Sequence, residues 1–300
     1  DGRYTLTIED DAGNQIVGTS EQRFEIETEK PVISTTSLIN NTDSGNSVED
    51  RLTNVLRPEI TFTSEGGLRV FVQKVNPDQT TMLLPKLNID DNPIYSVVEP
   101  SIENGENSEY SISFQSDLTD GLYSIFGEDD AGNKSIINDE QTFIIDNSQP
   151  TLPRIILRNT DSGKSDTDLN TNNTRPEVVF AAEEGLTVYL ENITTSTSLQ
   201  PIVSGSGDFS YVYTPEGNYI IFMNRDLETG DYRVFVRDDA GNQNEEGLGN
   251  DVFRMDVTAP SFETSIDLGD FDKGRSNNDK ITNIVRPEVV FKSEEGLSVN

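Results

Sequence analysis

Apolar and polar residues alternate along this chain in short runs, and turn-forming residues break the runs at close intervals. Tyr4, Leu6 and Ile8 alternate with polar neighbours and lead into Asp10-Asp11-Ala12-Gly13-Asn14. That pattern predicts a half-buried strand closed by a loop, because Gly and Asn tolerate positive φ. The same strand and loop return over 121–133 and 230–242, each time with a tyrosine (Tyr4, Tyr123, Tyr232) two residues after a glycine. Immunoglobulin-type sandwiches place the tyrosine of their corner motif in such a setting. A closing strand follows each loop, Phe24-Glu25-Ile26-Glu27, Phe143-Ile144-Ile145-Asp146 and Phe253-Arg254-Met255-Asp256, and Pro31, Pro150 or Pro260 comes four residues after its acidic end.

Between these landmarks the alternation predicts strands over 59–63, 68–74, 81–84, 94–98, 110–114, 122–127 and 141–146. A second set covers 178–182, 186–191, 209–213, 219–223, 232–237 and 252–257. About seven short strands in about 110 residues, with no helical period, predict an all-β fold of immunoglobulin-like β-sandwiches. Arg-Pro-Glu followed by an alternating strand starts at 57, 175 and 286, intervals of 118 and 111 residues. Such a period is the size of a whole small domain. We therefore expect tandem domains in a rod-like array: the closing part of one over 1–28, complete domains over 29–148 and 149–258, and an opening part over 259–300. The two partial units suggest a stretch of a longer array, since half a sandwich cannot cover its own apolar face.

Charge narrows the partners. With 54 acidic and 22 basic residues the net charge is −32, which repels nucleic-acid phosphate and anionic lipid and attracts cations. No apolar run reaches the ~18 residues that span a bilayer, so no membrane insertion is expected. Cys and His are both absent, which removes disulfides, thiolate nucleophiles, imidazole bases and the usual zinc ligands. Carboxylate pairs, Ser/Lys pairs and oxygen-held metals remain. The distinctive carboxylates recur in every unit, whereas an active site seldom comes once per repeat, so a non-enzyme is expected.

The richest segment of each unit is Asn41-Thr42-Asp43-Ser44-Gly45-Asn46-Ser47 with Asp50 further on, then Asn159 to Ser165 with Asp168, then Asp272, Gly274, Ser276 and Asp279. A loop written three times asks for a cause, and Ca²⁺ suits one made of carboxylates and carbonyls. The expectation is an ion at each junction, held by the acidic strand end and the following loop: Asp146, Asp161 and Asp168, then Asp256, Asp272 and Asp279. Glu27, Asp43 and Asp50 would form the first site. Asp129 and Asp238, in the Asp-Asp-Ala-Gly-Asn loops, complete these sites, form a second one near them, or cap their own turns. The plainer alternative is that all these acids are turn formers and solubility charges. Phe209, Tyr211 and Tyr213 share one strand face, which suits a buried face better than a sugar-stacking platform.

Asp-Ser-Gly-x-Ser-x-x-Asp-x-Leu-Thr-Asn before Arg-Pro-Glu, with Asp-Gly-x-Tyr-x-Ile and Asp-Asp-Ala-Gly-Asn, resembles the tandem bacterial immunoglobulin-like domains of giant non-fimbrial adhesins exported by type I secretion. The resemblance implies a monomeric, calcium-stiffened rod at the bacterial cell surface that carries or forms a host-binding tip. Its partners would be calcium ions at domain junctions, neighbouring domains of the same chain, and host-cell glycans or receptors. A glycan-binding module and a structural biofilm-matrix repeat are the alternatives. Glu27 where Asp146 and Asp256 stand, Lys273 in place of the turn serine, and Asn170 in place of an apolar residue depart from the pattern.

Overall fold

The structure, a computed structural model, describes residues 1–86, 93–98, 108–151, 154–201, 206–244, 251–261 and 265–294. Strands dominate it, and among the described residues the only helical pieces are three single 3₁₀ turns. The chain is all-β.

Two sandwiches form, each from two sheets with a core of its own. In the first, a four-stranded sheet runs Tyr95–Val98, Ser108–Phe114, Glu59–Ser64, Ser37–Ile39 in spatial order. It faces a five-stranded sheet of Leu52–Thr53, Thr142–Ile145, Gly121–Glu128, Arg69–Val75 and Thr81–Leu83. The second repeats the plan with Phe209–Tyr213, Asn218–Met223, Glu177–Ala181 and Ile156–Leu157 against Asn170–Thr171, Val252–Met255, Gly230–Arg237, Thr187–Asn192 and Thr197–Leu199. Alternation decides which side chains enter: Ile60 and Phe62 from one strand meet Val70, Val72, Ile125 and Phe143 from the other sheet in one cluster. Each such side chain stabilises its unit by roughly 1.5–3 kcal/mol. The second core has Val178, Phe180, Val188, Val234 and Phe253 in the matching places.

Two devices recur. Tyr123 donates its hydroxyl to the Thr119 carbonyl at 2.7 Å and Tyr232 donates to that of Glu228 at 2.9 Å, a tyrosine corner in each unit. The arginine of Arg-Pro-Glu pairs with an acid in the turn before that corner, Arg57 with Asp117 at 2.7 Å and Arg175 with Asp226 at 2.8 Å. Both pairs are exposed, so each contributes at most about 1 kcal/mol.

Most predicted strands lie within two residues of the observed ones. The alternation does not indicate Ser37–Ile39, Ile156–Leu157 and Thr197–Leu199, nor the short strands Gln15–Val17, Leu52–Thr53 and Asn170–Thr171. The first two matter, because each carries the chain across its sandwich before the repeated acidic loop begins. In residues 1–28 the alternating run breaks at Leu6 into Gly2–Thr5 and Thr7–Glu9. Tyr4, Ile8, Phe24 and Ile26 stay exposed there, with Tyr4 stacked on Phe24 at 5.3 Å.

Candidate metal centre

The loop after Ile39 is wired from within. Thr42 accepts the Glu59 amide on its hydroxyl, which ties the loop to the Arg-Pro-Glu strand. The Ser44 hydroxyl accepts the Asn54 amide at 2.9 Å and lies 2.9 Å from both the Thr53 hydroxyl and Asn54 Oδ1. Ser47 accepts the Glu49 amide, and Asp50 Oδ1 accepts that of Leu52 at 3.1 Å. Residue for residue, Thr160, Ser162, Ser165 and Asp168 repeat these bonds in the second unit. Ser276 and Asp279 repeat the last two in the third. These side chains act as turn formers, as the plainer alternative expects.

The first aspartate of the loop departs from that account. Asp43 Oδ2 accepts the Arg51 amide at 3.2 Å, Asp161 Oδ2 that of Leu169 at 3.1 Å, and Asp272 Oδ2 that of Lys280 at 2.9 Å. Each donor residue is itself left-handed, with φ of 62°, 62° and 60°. A non-glycine residue there costs about 1–2 kcal/mol, so each loop accepts strain to aim an amide at its aspartate. The other oxygen, Oδ1, is buried in all three copies and has no hydrogen-bond partner among the described residues. Asp43 is 6% exposed and Asp272 3%, while Asp161 is half-buried. A buried polar atom without a partner costs about 1–3 kcal/mol, more when charged. Burial pushes the Asp43 carboxyl above the ordinary 3.8; the Arg51 amide pulls it down, and the negative charge of Asp50 raises it again. One cation beside Asp43 Oδ1 and Asp50 would remove both penalties. All side-chain donors at the loop are oxygens, which fits Ca²⁺.

The structure regroups the predicted ligands. Leu52–Thr53 pairs parallel with Ile144–Ile145, and the Asp146 amide donates to the Thr53 carbonyl at 2.9 Å. Asp146 therefore stands beside the loop of its own unit, Asp43 and Asp50, not beside Asp161 and Asp168. Asp256 likewise donates its amide to Thr171, in the unit of Asp161 and Asp168, not in that of Asp272 and Asp279. Glu27, too, precedes a unit whose Asp43 and Asp50 lie at the far pole. The cause is the unforeseen first strand. It runs from the upstream pole, where the chain arrives, to the downstream pole, where it leaves, and takes the loop with it.

The first two acidic strand ends, Glu27 and Asp146, face the Asp-Asp-Ala-Gly-Asn loop of the next unit. Asn133 Nδ2 donates to the Glu27 carbonyl at 3.2 Å, and Asn242 Nδ2 to the Asp146 carbonyl at 2.8 Å. In the sequence both asparagines read as turn residues only; their repetition after each Gly is the available signal. Asp10, Asp129 and Asp238 each use both carboxylate oxygens on the asparagine four residues later, which is the turn-capping role. Asp129 is partly desolvated, which raises its pKa, yet the bonds from Asn133 win and hold it below the usual value. Glu27 is pushed upward, by burial first and then by the charges of Asp129 and Glu65.

A cleft of about 340 Å³ opens between the two sandwiches, with Asp146, Glu183, Glu184, Asp238 and Asp239 on its walls. Among the described residues no group of three or more carboxylates is arranged to hold a metal ion. The loop thus offers two carboxylates at most, with hydroxyl, carbonyl or water oxygens to complete a shell. Phe209 is fully buried, and Tyr211 and Tyr213 tilt against Tyr219 at 6.1 and 4.9 Å, so that strand packs inward and forms no platform. Set against known proteins, the chain matches no protein-family model and no curated protein.

Proposed function

We propose that this chain is a segment of an extracellular bacterial adhesin, a non-enzymatic stalk of immunoglobulin-like units stiffened by Ca²⁺. The observation that carries the reading is the recurrence, in three loops, of a buried aspartate oxygen with no partner among the described residues, in the first of them near enough to Asp50 for the two charges to act on each other. Chance placement would not repeat one orphaned atom at one loop position. The ion belongs within each loop, on Asp43 with Asp50, Asp161 with Asp168 and Asp272 with Asp279. Glu27, Asp146 and Asp256 line the junctions, and Asp129 and Asp238 shape the loops that meet them. Extracellular calcium near ~10⁻³ M would fill sites with affinities of ~10⁻⁴–10⁻³ M, while cytosolic levels would leave them empty. The stalk would then stiffen only after export and present host-binding surfaces at a distance from the cell.

Small-angle X-ray scattering of the whole chain, with calcium, with chelator and with magnesium, tests this. A long, sharply defined maximum dimension that appears with calcium alone is the expected result. The reading fails if chelation leaves both the dimension and its spread unchanged.

A further inference from the structure

Ser44, Gly45 and Asn46 of the first unit rest on Asp239, Ala240 and Gly241 of the second. The Asn46 amide donates to the Asp239 carbonyl at 3.2 Å. Its Nδ2 donates to Asp239 Oδ1 at 2.8 Å and to Thr187 Oγ1 at 3.1 Å. The Ser44 hydroxyl lies 2.7 Å from the Ala240 carbonyl. Donors thus sit on one loop and acceptors on the other. The backbones come close enough to exclude any side chain. A Cβ on Gly45 would stand 1.8 Å from the Asp239 carbonyl oxygen, and one on Gly241 would stand 3.0 Å from Gly45 Cα.

The same two glycines occur where no such contact forms. Gly163 matches Gly45 in φ, +96° against +94°, and Gly132 matches Gly241, +89° against +96°. Neither Gly163 nor Gly132 would bring a Cβ within 4 Å of anything. Loop conformation therefore requires glycine in every copy; among the described residues the bare backbone is also in contact between the two complete sandwiches, the one junction for which residues 1–300 hold both the loop and the facing turn.

We propose that this loop-on-loop contact is the latch that sets the angle between consecutive units. A cation at Asp43 acts on it from inside one unit, by ordering the loop that carries Ser44, Gly45 and Asn46, and does not bridge two units. The ion's part rests on the calcium reading above; the latch does not. The partner that fits the loop is an Asp-Asp-Ala-Gly-Asn turn with its carbonyls turned outward.

The chain has no cysteine, so Met82→Cys and Ser198→Cys, both at exposed positions, can carry one spin label on each sandwich. Electron–electron distance measurement on the whole chain in calcium should give one narrow distribution. Gly45→Ala should lose that narrow peak while its calcium affinity stays within about tenfold of the parent. Gly163→Ala, with the same backbone penalty and open space around it, should keep the peak. Asn46→Ala adds no atoms and should broaden the distribution with its melting temperature held, which separates a lost latch from a lost fold. Equal distributions for the two glycine variants would overturn the latch. If the parent takes up no calcium and ignores chelator, the calcium reading and the ion's part fall together, and the glycine pair still decides the latch.

Discussion

One loop, written twice, is docked on a facing turn in the first sandwich, while for the second copy residues 259–300 hold no such turn. Ser44 and Ser162 hold Asn54 and Asn172 through the same bonds, each 2.9 Å. Arg51 and Leu169 take the same left-handed turn onto Asp43 and Asp161. Yet a Cβ on Gly45 would strike the neighbouring unit, while one on Gly163 would meet no atom of the described residues within 4 Å. The internal wiring is therefore a property of the local sequence, because it forms with or without a neighbour. Docking depends on the neighbouring unit and the turn it presents. Separating the two is what makes the loops useful as controls for each other.

The largest expected effect comes from removing the charge at the first aspartate of each loop. Asp43→Asn and Asp161→Asn keep an oxygen for the left-handed amide but lose the anionic oxygen that has no protein partner. Each should weaken calcium at its own loop by at least about a hundredfold, and titration calorimetry should count one site fewer. The loops part in the mechanical readout. Only Asp43→Asn should loosen the junction between the two complete sandwiches, since only that loop is docked. If the count of sites is unchanged in both variants, the ion is not held where the orphaned oxygens lie.

A smaller effect arises from the raised Asp43 pKa, and its sign is fixed. Without metal, folded and unfolded chains are both protonated well below the ordinary 3.8, and burial costs nothing. As pH rises through that value the unfolded chain ionises first, and the folded state loses stability until Asp43 itself ionises. Metal-free Asp43→Asn should therefore match the parent at acid pH and exceed it at neutral pH. Calcium reverses the order, since it needs the ionised carboxylate: its affinity at Asp43 should fall as pH drops through the raised pKa. Chemical unfolding across pH, with and without chelator, reads both. A metal-free Asp43→Asn less stable than the parent at neutral pH would show that the carboxylate is not a burden there.

Much of this fold is legible because alternation is strict where both sheets are covered. Glu59–Ser64, Phe209–Tyr213 and Gly230–Arg237 each send every second residue inward, so period and extent coincide. Ser37–Ile39 and Ile156–Leu157 are too short to show a period. Missing them placed the acidic loops at the wrong pole and grouped Asp146 with Asp161 instead of with Asp43. The candidate ligands are visible as residue types, because the loop is repeated. The orphaned state of Asp43 Oδ1 is not, since no residue pattern reports the burial of a single oxygen atom. The docking of Gly45 on Asp239 is equally silent, because glycine is demanded at that position by φ alone.

The smallest effect tests how much the docked loop gains from its serine. The Ser44 hydroxyl is 2.9 Å from Asn54 Oδ1 and 2.7 Å from the Ala240 carbonyl, but it has one proton to give. Docking therefore redirects a bond more than it adds one. Among the described residues Ser162 meets no carbonyl of another unit, and its proton can stay on Asn172. Both Ser→Ala variants remove the acceptor for the Asn54 or Asn172 amide, a loss of about 0.5–1.5 kcal/mol. Hydrogen exchange at these two amides should accelerate to a similar degree, with only a slight excess for Ser44→Ala. A much larger excess at Asn54 would mean that Ser44, not Gly45 and Asn46, carries the latch, and the close backbone approach would then be its consequence rather than its cause.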